Sequence, residues 1–177
     1  MDINRLKAIV LYVLNNVPGK CLGKHELFKI LYFASQERLV EYGHAMIDDF
    51  YAFEYGPVPS QLFDYLKGKS NAILSSINVD AETSYILSPQ KEPDMDELSK
   101  ACVICLDKSI NENYGLTFDE LTNKSHDFAW NKAWTKKTDG KRGDKIDTVN
   151  IAIAAGADKG TIEYIQEDLE IRAALGC

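Results

Sequence analysis

The residues best suited to metal binding or nucleophilic attack are three histidines, His25, His44 and His126, and four cysteines, Cys21, Cys102, Cys105 and Cys177. Cys102 and Cys105 have C-x-x-C spacing, but a structural zinc site needs two more ligands, and the chain has no second pair. At helical spacing both thiols fall on one apolar stripe with Leu98, which reads as core. The histidines show neither HExxH nor HxxxH spacing, so a dedicated metal site is not expected. Asp127 follows His126 and could orient it as a base. The preferred reading is a histidine that bonds a backbone carbonyl and braces a loop. There is no GxSxG elbow, no GxGxxG and no P-loop. The carboxylates of Asp48-Asp49 and of Asp94 and Asp96 flank predicted elements, where capping or solvation accounts for them. No catalytic residue, metal ligand or cofactor is therefore assigned. A pocket of converging, perturbed groups would reopen the question of an enzyme.

Charge narrows the partners. The 177 residues carry a net charge of −7 with a pI near 5.0, which argues against general nucleic-acid affinity. The basic run Lys136-Lys137-Thr138-Asp139-Gly140-Lys141-Arg142 has no interleaved aromatic for base stacking and reads as a solvated loop. A hydrophobic content of 45% with 27% charged residues is that of a soluble globular protein of one domain, residues 1–177. Met1-Asp2-Ile3-Asn4 lacks a basic leader, and no apolar run approaches the roughly 18 residues of a membrane span. A cytoplasmic protein with reduced cysteines and no membrane partner is expected.

The elements that must position these residues centre on Lys24 to Lys67. Leu27 to Ala34 is the most apolar run of the chain, and Leu39 and Val40 resume its stripe at helical spacing before Gly43. That predicts a central core helix of about 18 residues, apolar on most of its circumference and without a strong N-cap. Asp48 to Tyr55 reads as a strand, stopped by Gly56-Pro57-Val58-Pro59, with a short helix from Ser60 to Lys67. Ala72–Val79 and Thr83–Leu87 read as two further strands of one small antiparallel sheet. Ile3 to Val17 forms an opening helix with Asp2 as N-cap. Asp94 caps a helix to about Asn113, and Thr117 with Glu120 has capping-box form. A mobile basic loop at 135–145 and a helical segment at 147–174, capped by Asp147, complete the chain. The fold class is α+β: a predominantly helical single domain around a buried central helix, with a small antiparallel β-sheet.

Two blocks carry a resemblance. Phe28-Lys29-Ile30-Leu31-Tyr32-Phe33-Ala34, followed by Glu54-Tyr55-Gly56-Pro57-Val58-Pro59-Ser60 and Tyr65, resembles the Panacea domain of SocA-like antitoxins. That family combines a KLLYF helix with a WxYGPVxxxxY segment, and here Phe53 or Glu54 stands where tryptophan is usual. Leu121, His126 and Trp130 fit the family's LTHxxxPW pattern loosely, with Ser125 for threonine and Ala129 for proline. The segment after residue 147 departs from the family pattern.

The resemblance implies an antitoxin of a bacterial or prophage toxin–antitoxin pair, which neutralises a cognate protein toxin by direct binding without chemistry. The toxin is expected to be encoded by an adjacent gene. An alternative is a proteolytic adaptor or phage-associated interaction protein that hands a partner to a protease or host factor. A transcriptional autoregulator would need DNA contact, and no helix-turn-helix extension is visible. In the aromatic concentration around Lys24 to Lys67, Phe33 and Phe53 read as core, while Tyr32, Tyr51, Tyr55 and Tyr65 read equally as core or as an interface. With the resemblance, Tyr32, Tyr55, Gly56, Pro57, Val58, His126 and Trp130 become the candidate partner-binding residues, with Tyr32 and Tyr55 projecting a groove.

Overall fold

The computed structural model describes residues 1–69, 71–135 and 142–176. Helix α1 (Ile3–Asn16) starts at Asp2, whose carboxylate accepts from the backbone N–H groups of Asn4 and Arg5. A two-residue strand, β1 (Leu22–Gly23), leads into α2 (Lys24–Tyr42). As expected, α2 has no side-chain N-cap, and Gly43 closes it in the left-handed conformation. Every residue from Leu27 to Ser35 is buried, so the helix is enclosed on all sides.

Strand β2 (Phe50–Phe53) is followed by β3 (Gly56–Pro59), α3 (Ser60–Asp64) and a π-helical turn over Tyr65–Lys69. Gly56–Pro59 was expected to stop the strand; instead it turns back and pairs with it, Tyr51 opposite Val58 and Phe53 opposite Gly56. Two prolines are tolerated because β3 is an edge strand, and their alternate spacing puts both missing donors on one side of it. The expected strand at 72–79 begins instead as a helical turn, α4 (Asn71–Leu74), before β4 (Ile77–Val79). The next strand starts late, as β5 (Ile86–Pro89), because the Asp80 carboxylate accepts from both the backbone N–H and the hydroxyl of Thr83 and holds a turn there.

Asp94 caps only a 3-10 turn over Met95–Glu97; the long helix α5 (Lys100–Asn113) starts from Ser99. Helix α6 (Phe118–Ser125) opens with the capping box of Thr117 and Glu120, and α7 (Phe128–Trp134) with Asp127. Residues 136–141 of the predicted basic loop lie outside the described residues. Arg142–Lys145 is not loop but strand β6, paired with β2. Asp147 and Asp158 cap α8 (Thr148–Ala154) and α9 (Lys159–Leu175).

The fold is mostly helical α+β, with two small antiparallel sheets where one was expected: β1-β5-β4 and β3-β2-β6. The strand at 50–53 and those at 77–89 do not share a sheet. Helix α2 packs most extensively on α5, where the Ser109 hydroxyl donates to the Ile30 carbonyl at 2.7 Å. The buried apolar side chains form one cluster running through α1, α2, α5 and both sheets. Among the described residues, no helix is long and apolar enough to cross a membrane.

Candidate functional site

The β2–β3 turn at Glu54-Tyr55 is held by groups from α2 and from the junction of α6 and α7. Lys29, in the middle of the most apolar run, is buried, and its Nζ donates to the Pro57 carbonyl at 3.0 Å. Burial pulls its ammonium down to a pKa of about 7. Gly56 has φ +101°, and a Cβ there would stand 2.4 Å from Ser125 Oγ and 2.8 Å from Lys29 Nζ. Only glycine fits both the backbone conformation and the space. Trp130 Nε1 donates to the Phe53 carbonyl at 2.9 Å, and the His126 ring bonds the Glu54 carbonyl. The His126 and Trp130 rings stack with centroids 3.6 Å apart. Burial and the charge of Lys29 lower the His126 pKa.

Asp127 ties the helices together. One carboxylate oxygen accepts from the Trp130 backbone N–H at 2.9 Å and caps α7. The other accepts from the Tyr32 hydroxyl at 2.8 Å and from Gln36 Nε2 at 2.7 Å.

Above this scaffold Tyr55 is 55% exposed and meets the edge of Phe118, itself 45% exposed. Phe118 stacks on His25, centroids 4.0 Å apart, and His25 Nε2 is hydrogen-bonded to the Thr122 hydroxyl at 3.1 Å. Burial, with Lys29 nearby, lowers the His25 pKa to about 4, so the ring is neutral at physiological pH.

The seven sequence-predicted residues thus do come together around one turn, but in two roles. Tyr55 faces solvent and His126 is half-buried; Gly56, Pro57, Val58 and Trp130 are buried beneath them. Tyr32 does not project a groove: it is fully buried, with its hydroxyl spent on Asp127. His126 braces the turn through the Glu54 carbonyl, in keeping with its expected role. Sequence reasoning did not assign Lys29, His25 or Phe118 to the site, and it gave Asp127 only as a partner of His126, not of Tyr32, Gln36 and the Trp130 N–H. A lysine inside a run buried on all sides was a readable sign; the partners of Asp127 lie too far along the chain to be seen locally.

Elsewhere, Cys102 and Cys105 are free and buried, and burial raises the Cys105 thiol to about 11, far from a thiolate at neutral pH. Asp49 accepts from the Gln61 backbone N–H at 2.6 Å, a capping use of that carboxylate pair. Among the described residues, no group of three or more His, Cys, Asp or Glu is placed to hold a metal ion.

Compared with known proteins, residues 27–131 match the family model described as antitoxin SocA-like, Panacea domain, which is more than half of the chain. No curated protein and no solved structure matches it. The matched span runs from α2 into α7 and contains every residue of the turn and its supports.

Proposed function

This chain belongs to the SocA-like antitoxin family of Panacea domains, and on that premise we propose that it is a cytoplasmic antitoxin that neutralises a cognate protein toxin by direct binding. The observation that carries the reading is the family match, which takes in Lys29, the β2–β3 turn, Asp127 and Trp130 as one span. The architecture supports a binding role. The buried groups of the turn spend their hydrogen bonds on holding backbone, and the side chain they raise into solvent is an aromatic one. Tyrosine suits such a place, because it contributes a large contact area and a polar tip at small entropic cost. In this reading Tyr55 contacts the toxin, His126 lies beside it, and Tyr32, Gly56, Pro57, Val58 and Trp130 hold the turn in shape. The protein performs no chemical step.

The test is to express the product of the neighbouring reading frame with and without this chain, and to measure growth and co-purification. Growth arrest by the neighbour alone, with rescue and co-purification in the presence of this chain, is the expected result. A harmless neighbour that does not co-purify would remove the reading.

A further inference from the structure

A cavity of about 420 Å³ lies where the end of α2 and the loop after it face α1, the start of α8 and α9. Arg5, Arg38, Leu39, His44, Ile165 and Leu169 are among its walls. Small-molecule sites have volumes of about 300–1,000 Å³, so the size suits a ligand. The first two arginines are held by neutral groups. Arg38 Nη1 donates to the Ala45 carbonyl at 3.1 Å, and Arg5 Nη2 to Cys102 Sγ at 3.6 Å. A guanidinium keeps its charge in such company. Neither arginine forms an ion pair among the described residues.

Five buried side-chain nitrogens among the described residues have no hydrogen-bond partner in the protein. Three of them, Arg5 Nε, Arg38 Nε and His44 Nδ1, belong to residues that line this one cavity. Arginine offers donors only, so what each Nε–H lacks is an acceptor. Three carboxylates share the walls, and their places matter. Asp168 pairs with Arg172 at 2.8 Å. Asp2 is held at the start of α1 by the backbone N–H groups of Asn4 and Arg5. Asp48 is exposed. None of them pairs with the Arg5 or Arg38 guanidinium. In a chain of net charge −7, two half-buried guanidiniums without a counter-charge in one cavity select for an anion. Leu39 and Ile165, both buried, and Leu169 give the cavity an apolar side.

We propose that this cavity binds a small organic anion, a carboxylate or phosphate on an apolar body, with Arg5 and Arg38 holding the charge and Leu39, Ile165 and Leu169 the body. The matched family span supplies Arg38 to Asp48, whereas Arg5 and α9 lie outside it. The occupant thus ties α9 to the family domain, and the assignment does not rest on the antitoxin reading.

The test titrates the purified full chain with hexanoate and phenyl phosphate, and with hexylamine and hexanol as their cationic and neutral counterparts. At least one anion is expected to bind at or below about 10 mM, and neither counterpart to do so. R5Q and R38Q should each weaken that binding about tenfold or more, the size of a lost hydrogen bond to a charged group. K20Q changes an exposed lysine outside the cavity walls and should leave binding as it is. A readout without mutation is amide exchange in the wild type. The bound anion should slow exchange over Lys159–Leu175 more than over Phe118–Ser125, because it fastens α9. The assignment falls if neither anion binds, if hexylamine or hexanol binds as well, or if R5Q and R38Q bind the anion like the wild type. Exchange that slows equally in both helices would also overturn it, since the anion would then sit elsewhere. If the product of the neighbouring frame binds where the small anions do not, and R5Q/R38Q abolishes this, the occupant is a partner's carboxylate and the small-molecule assignment is wrong.

Discussion

The phenol of Tyr32 and the carboxylate of Asp127 stand 2.8 Å apart, so that one hydrogen bond joins the middle of α2 to the N-cap of α7 across 95 residues of chain. Burial and the negative charge of Asp127 push the Tyr32 pKa well up, which keeps the phenol protonated and donating. The same carboxylate also serves Gln36 and the first turn of α7. The two residues should therefore not be equivalent. Y32F removes one donor and leaves Asp127 two others, a loss of about 1–2 kcal/mol. D127A removes the cap and strands a buried hydroxyl and an amide, about 3–4 kcal/mol. Urea unfolding of the two variants tests this; equal losses would mean that the cap contributes nothing.

Gly56 is the narrowest place in the scaffold. At φ +101° an alanine would be strained even in open space, and its Cβ would also meet Ser125 Oγ and Lys29 Nζ below 3.0 Å. We expect G56A to cost about 3 kcal/mol or more, by strain and overpacking together. Adding S125A removes the closest of these contacts and should restore part of the loss, the remainder being backbone strain and the contact with Lys29. Full recovery in G56A/S125A would show that φ is unimportant there.

What was legible in the chain was local. The caps at Asp2, Thr117 and Asp147 could be read because a cap and the N–H it satisfies lie within three residues. The central helix was legible because a run apolar on all sides has nowhere to go but the core. Gly56–Pro59 misled, since proline ends a strand by the local rule, and its place on a sheet edge is decided by pairing with Phe50–Phe53. Asn71–Leu74 misled in the other direction: four residues of helix are too short to show their period. At the site, the order of the blocks placed the right residues together, but it could not say which face outward. Tyr32 and Tyr55 are the same side chain in similar aromatic company; what separates them is Asp127, far along the chain.

Lys29 gives the fold a pH dependence whose sign can be worked out. Its folded pKa, about 7, lies below the 10.5 of an unfolded chain. Between these values the unfolded state binds the extra proton, so stability rises with pH across the window. Below pH 7 both states hold the proton, and the cost of the buried charge is fully present. The slope is at most about 1.4 kcal/mol per pH unit. Measured between pH 7.5 and about 9.5, below the range where buried tyrosines ionise, wild-type stability should climb relative to K29M. Parallel curves for the two proteins would show that Lys29 is not held without its solvent shell.

Helix α9 is attached by few contacts, and this sets the last expectation. Ile165 is its one buried side chain among the described residues. Tyr164 lies over Gly43, where a Cβ would come within 2.6 Å of its ring, and its hydroxyl is hydrogen-bonded to His44 Nε2 at 3.0 Å. Asp168, on the next turn, stands 3.8 Å from His44 Nδ1 and pairs with Arg172 at 2.8 Å. These contacts all bear on the left-handed C-cap of α2. Y164A should therefore release α9 locally, and so should G43A, whose Cβ displaces the ring. Amide exchange over Lys159–Leu175 is expected to speed up in both variants, while Leu27–Ala34 keeps its protection. Global stability should fall by only about 1 kcal/mol, because the part of α9 that is lost buries little apolar surface. An equal rise in exchange along Leu27–Ala34 would mean that α9 unfolds together with the core, and that its attachment is structural for the whole chain.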